Sequence, residues 1–130
     1  SVYRYDADYP ATEGNRAFNE DYIALANQAP TNWAWQNYTA AQFLFSALQQ
    51  TGGKTEGQAL AEALMGMELD SPFAEEGRIT MRAEDHTIIG YPVAWGSSVA
   101  SPPGFNDWVP GDWPQLLEQE AEWKQRKGYS

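Results

Sequence analysis

The 130-residue chain contains no cysteine and a single histidine, His86. The first absence excludes disulfide scaffolds, thiolate metal sites and cysteine nucleophiles. The second excludes a two-histidine zinc motif. His86 stands in the polar stretch "AEDHT" and reads as a surface or turn-stabilising residue. A serine hydrolase built on it would need a nucleophile elbow, and no G-x-S-x-G is present. "TGGKTEG" lacks the spacing of a phosphate loop. Bases are scarce, with eight Lys and Arg against 18 Asp and Glu, a net charge of −10. That balance argues against a nucleic-acid partner, which needs a basic footprint. It argues equally against docking on anionic membranes, and no apolar run is long enough to insert in one directly. No signal-peptide pattern is visible, but the chain starts at Ser1 rather than methionine, so its start reads as processed, engineered or cut.

Aromatics are what the chain has in quantity: six Trp, seven Tyr and five Phe. With this length they supply one domain with a real core. Acidic pairs such as Glu20–Asp21 and Glu84–Asp85 read as solvated surface, because carboxylates are seldom buried. An enzyme using two of them across a cleft therefore ranks last among the functions considered. No catalytic, metal or cofactor site emerges.

Periodicity predicts a short β-prone piece over Val2–Tyr5 and a turn at Asp8–Pro10. A helix follows from about Asn15 to Gln28, with Ala17, Phe18, Tyr22, Ile23 and Ala26 on one stripe. Pro30 ends it. The next helix starts after Thr31 or Asn32, both good caps, and carries Ala34, Tyr38, Ala41, Phe45 and Leu48 on one face. Gly52–Gly53 stops it. Thr55 and Gln58 form a T-x-x-Q capping box for a third helix, closed near Gly66. The period then changes to strand in "GRITMRA", with Ile79 and Met81 inward, and to a second strand in "IIGYPVAW", interrupted by Gly90 and Pro92. "GSSVASPPGFNDWVPGD" reads as an irregular connector. A last helix has Asp112 as cap, Pro114 in its first turn and Lys124, Arg126 and Lys127 near its end. This is too little sheet for a complete α/β domain, so the strands read as borders of a sheet whose centre lies elsewhere.

Trp33 and Trp35 bracket a helix start, where free N–H groups and a partial positive charge are available. Flat walls beside such donors can grip a small ligand with a carboxylate or polar head, and can equally be core. The tail tryptophans Trp108, Trp113 and Trp123 read as packing for a C-terminal arm.

The order of these pieces resembles the last third of type I periplasmic solute-binding proteins of the branched-chain amino-acid ABC-transporter group. The landmarks are Ala17, Phe18 and Tyr22, then Tyr38 and Ala40, "ALQQTGG", "ALMGMELDSP" and "GRITMRAEDHTIIGYPV", over about residues 12–96. The resemblance implies an α/β fragment of a two-lobed fold, mostly helices with a few short strands, whose other part lies in the remainder of the polypeptide. Residues 1–96 would belong to one ligand-binding lobe, with crossover segments at about 5–10 and 91–96. Residues 97–130 would form a connector and a helix docking on the other lobe. It also implies a periplasmic or otherwise extracytoplasmic binder that closes on a small polar ligand and delivers it to an ABC permease without catalysis. Amino acids, amides and aromatic acids all occur as ligands in the group. A gapless match through Tyr38 places a pocket aromatic on Trp33, with Asn32 and Trp35 as neighbours that reach the cleft. The alternative is a stand-alone acidic module binding carbohydrate or peptide through exposed tryptophans.

Overall fold

The computed structural model describes residues 2–3, 5–74, 76–100 and 103–129; Arg4, at which part of the first expected strand falls, lies outside them, as does part of the expected connector. The chain divides into two compact units, residues 4–92 and residues 1–3 with 93–130. The expected boundary after residue 96 falls inside a strand of the second unit.

Residues 4–92 hold three helices and a small sheet: α1 (Glu13–Ala26), α2 (Asn32–Gln50), α3 (Gly57–Leu64), β2 (Glu68–Asp70), β3 (Arg78–Met81) and β4 (Ile88–Ile89). Each helix start has a local cause. Thr12 caps α1 by accepting from the Asn15 N–H at 3.1 Å, and Thr31 caps α2 by accepting from Ala34 at 3.2 Å. The expected Thr55 capping box is not realised. α3 begins at Gly57 with Glu56 as its cap and no side-chain cap bond, so Gln58 lies one position too early and donates to Glu62 at 2.9 Å instead. Gly66, at φ +70°, provides the left-handed step that turns the chain toward β2.

β3 pairs antiparallel with β2 and β4 and alternates as expected, with Ile79 and Met81 buried. They join Phe43 and Ala74 in one core cluster, against which Leu64, Met67, Leu69, Ile88 and Tyr91 pack. Gly90, at φ +85°, follows β4, and a Cβ there would stand 2.8 Å from the Arg78 carbonyl oxygen. His86 lies in the turn between β3 and β4, with Nε2 3.2 Å from the Ala61 carbonyl of α3. In that turn Glu84 is held below the usual carboxylate range, first by its own backbone N–H and then by Arg82.

The buried face of α2 differs from the expected one. Trp35, Thr39, Phe43 and Ala47 point inward, whereas Phe45 is 64% exposed and Tyr38 and Leu44 are also exposed. α2 is apolar on two sides, so spacing alone could not choose between them. α1 likewise buries Asn15 rather than an apolar stripe, with Leu25 90% exposed. Asn15 Nδ2 donates to the carbonyls of Ala7 and Pro10, at 3.1 and 2.9 Å, and so fixes the loop before the helix.

The second unit contains β1 (Val2–Tyr3), β5 (Ala94–Ala100), β6 (Pro103–Pro110) and α4 (Trp113–Lys127). The three strands form an antiparallel sheet in the order β1–β5–β6. The stretch expected to be an irregular connector is therefore mostly a hairpin. Gly96 and the two serines after it are poor strand formers, and what holds them is non-local: pairing with β6 and the Trp108 ring, 3.2 Å from where a Gly96 Cβ would stand. The ladder shifts register between Trp95 and Ser97. α4 starts as expected, with Asp112 accepting from Gln115 at 2.9 Å, and ends at Gly128. Among the described residues no helix is long and apolar enough to cross a membrane.

Candidate functional site

The first turn of α2 gathers the three residues singled out in the sequence. Pro30 is buried, and the extended Thr31 cap then swings the chain into the helix. Thr31 uses its side chain for the Ala34 N–H, and its carbonyl accepts from Trp35 at 3.1 Å. Helix geometry leaves the N–H groups of Asn32 and Trp33 without an intrahelical carbonyl, at the positive end of a 19-residue helix. No acidic residue occupies that turn to neutralise it.

The three side chains have different fates. Trp33 is 71% exposed, its indole set on the surface, while its carbonyl accepts from Asn37 Nδ2 at 2.8 Å. Asn32 is half-buried, and its Oδ1 is buried without a hydrogen-bond partner. Trp35 is only 4% exposed and belongs to the core, so the structure sets it apart from Trp33 rather than beside it on the surface. Its ring lies parallel to Tyr5, with centroids 5.9 Å apart, edge-on to Phe73 at 6.2 Å and tilted against Tyr91 at 5.5 Å. Tyr5 is fully buried and donates its hydroxyl to Asn19 Oδ1 at 2.8 Å. Burial pushes the Tyr5 phenol well above its ordinary range, and the carboxylates of Asp6 and Asp8 add to the shift.

Reading the sequence missed the partners of Trp35. Tyr5, Phe73 and Tyr91 come from three other segments, and the only signal for them was aromatic content in "YRYDADYP", "SPF" and "GYPV". Also missed was a polar seam along α2. Asn32 Oδ1, Trp35 Nε1, Thr39 Oγ1 and Gln42 Oε1 are all buried without a hydrogen-bond partner, at the spacing of one helix face. Such atoms are rare in native proteins and are costly when left unpaired.

The other end of α2 carries a shallow concavity of about 490 Å³, lined by Phe45, Leu48, Gln49, Gly52 and Gly53. Its nearest lining residue, Phe45, lies about 18 Å along the helix from Trp33 at 1.5 Å per residue. Its lining is mostly apolar and lacks the converging polar groups of a small-molecule site. Among the described residues no group of three or more His, Cys, Asp or Glu could hold a metal ion.

The sequence model of the periplasmic binding protein family matches residues 1–93, and the chain belongs to that family. No curated protein matches it. Among solved structures it is similar to the solute-binding protein of an ABC transporter from Rhodopseudomonas palustris BisB5, in complex with 3,4-dihydroxybenzoic acid. The identity there is 27% and the TM-score 0.67, over 86% of this chain and 30% of that one. An ABC-type branched-chain amino acid transporter from R. palustris CGA009 is similar at 20% identity and a TM-score of 0.69, over 88% of this chain and 30% of that one. A third, the solute-binding protein of an ABC transporter from R. palustris HaA2 in complex with p-hydroxybenzoic acid, has 19% identity and a TM-score of 0.62, over 85% and 29%. The fold is thus part of the type I periplasmic-binding-protein fold, and the chain spans about 30% of the length of these relatives.

Proposed function

We propose that the chain is part of the extracytoplasmic solute-binding component of an ABC importer, a binder without catalysis that delivers its ligand to the permease. In this reading residues 4–92 belong to one lobe, and residues 1–3 with 93–130, which carry the β5–β6 hairpin and α4, belong to the other. The rest of both lobes is supplied by the remainder of the polypeptide. The exposed Phe45, Leu44, Ile23 and Leu25 on α1 and α2 support this, since such side chains commonly await a covering partner.

The observation that carries the ligand reading is the exposed Trp33 indole beside the free N–H groups of the α2 start. A flat wall next to a positive helix end suits a planar ring bearing a carboxylate, better than it suits an aliphatic amino acid. The relatives from strains BisB5 and HaA2, each in complex with a hydroxylated benzoic acid, support the same ligand class. Asn32 would contribute its unpartnered Oδ1 to a ligand hydroxyl.

The test is calorimetry of the full-length polypeptide against benzoic acids, amino acids and amides. Micromolar binding of a hydroxybenzoate, weakened by Trp33→Ala, is expected. A folded protein that binds no compound of these classes would overturn the reading.

A further inference from the structure

Within the unit of residues 4–92, the seam on α2 runs through the middle of the core. The Trp35 and Thr39 side chains are almost wholly buried, at 4% and 3% exposure, and neither Trp35 Nε1 nor Thr39 Oγ1 has a hydrogen-bond partner. Their surroundings are apolar. Trp35 belongs to the cluster of Tyr5 and Phe73, while Phe43 belongs to a second cluster with Ala74, Ile79 and Met81. Thr39 stands one helical turn from each, so its hydroxyl falls at the join of two separate clusters. Gln42 continues the face. Its Nε2 donates to the Tyr38 hydroxyl at 3.0 Å, which leaves the buried Oε1 to the seam.

The four atoms are complementary but not paired with one another. Trp35 Nε1 can only donate, Asn32 Oδ1 and Gln42 Oε1 can only accept, and Thr39 Oγ1 does both. Successive residues of the seam rise by about 4.5 to 6 Å along the helix axis. That is the span of one water making two hydrogen bonds of about 2.8 Å each. Holding such a water costs less than leaving buried polar groups unpaired. We infer that the seam is a water-binding site: an ordered water bridges Trp35 Nε1 and Thr39 Oγ1 at the join of the two clusters. It accepts from the indole and donates to the hydroxyl, which is then free to donate onward toward Gln42 Oε1. The site lies inside one unit and stands whether or not Trp33 holds a ligand.

The experiment is a crystal structure of the full-length polypeptide at a resolution that shows ordered water, with urea unfolding of Thr39→Val alongside. Water is expected within about 3.2 Å of both Trp35 Nε1 and Thr39 Oγ1. Thr39→Val keeps the shape of the side chain and deletes the hydroxyl. Taking a partner from a bound water should lower the urea midpoint by about 0.2 M or more. An unpaired hydroxyl predicts the opposite sign, because valine would then relieve a buried polar group. A seam without water, a protein group bonded directly to either atom, or a midpoint unchanged or raised in Thr39→Val would each overturn the proposal. Should Thr39→Val fail to fold, Thr39→Ser decides: it keeps the hydroxyl and should keep the water in the same place.

Discussion

Thr12 hydrogen-bonds in two directions at once: its hydroxyl donates to the Pro72 carbonyl at 2.7 Å and accepts from the Asn15 N–H at 3.1 Å. One side chain thus caps α1 and ties it to a point sixty residues later. Thr12→Ala removes both bonds and should cost about 2 kcal/mol, while Thr12→Ser should retain most of the stability. Urea unfolding midpoints of the two variants check this, and equal midpoints would contradict it.

Next to that tie, α1 touches the chain at Pro72 so closely that only glycine fits. A Cβ on Gly14 would overlap the Pro72 ring and stand 2.8 Å from its Cα. Alanine is the better helix former, by about 1 kcal/mol. Gly14→Ala should nevertheless destabilise by roughly 1–3 kcal/mol, because backbone must move to admit it. A stabilised variant in thermal unfolding would show that the approach is looser than described.

Trp33 and Trp35 should separate cleanly. Trp33→Ala should change stability by no more than about 0.5 kcal/mol, as for most surface changes, and weaken hydroxybenzoate binding more than tenfold, a loss above about 1.4 kcal/mol. Trp35→Ala should cost about 3–5 kcal/mol of stability, as for other buried aromatics. Paired calorimetry and denaturation of both variants would expose the reverse pattern at once.

Alkaline pH should find Tyr5. Its folded pKa lies above that of the unfolded chain, so the unfolded form gives up its proton first. The contribution is fully present below about pH 10, the ordinary phenol value, and is lost progressively above it. Tyr5→Phe should start less stable at pH 7, lacking the bond to Asn19, and then lose less between about pH 10 and 12. Parallel loss in both proteins would assign the alkaline transition to other groups.

The starts of α2 and α4 were legible because a cap is a local device: Thr31 and Asp112 each bond an N–H three residues on; the start of α3 was misread, because the Thr55 box on which it rested does not form. The buried face of α2 was not legible, since Tyr5, Phe73 and Tyr91 select it from distant segments while Phe45 and Leu48 keep the opposite face just as apolar. The β5–β6 hairpin was hidden for a related reason. Gly96, Ser97 and Ser98 gain their strand conformation from partners rather than from propensity. The order of motifs survived these local misreadings, and the family model matches residues 1–93 where the resemblance was drawn over 12–96. In the candidate site, exposure of Trp33 and burial of Trp35 were one question in sequence, and packing gave them opposite answers.

The pairing of Tyr3 with Ala94 has a consequence for how such a protein can change. Everything from residue 4 to residue 92 leaves and re-enters through one doorway between neighbouring strands. To the ladder on the other side, that whole stretch is a detour whose contents are immaterial so long as it returns to the same place. A homologous stretch grafted at this doorway would exchange Trp33 and its surroundings as a block. If Trp33 holds the ligand as proposed, a single recombination would then change ligand preference without passing through a series of destabilised point variants.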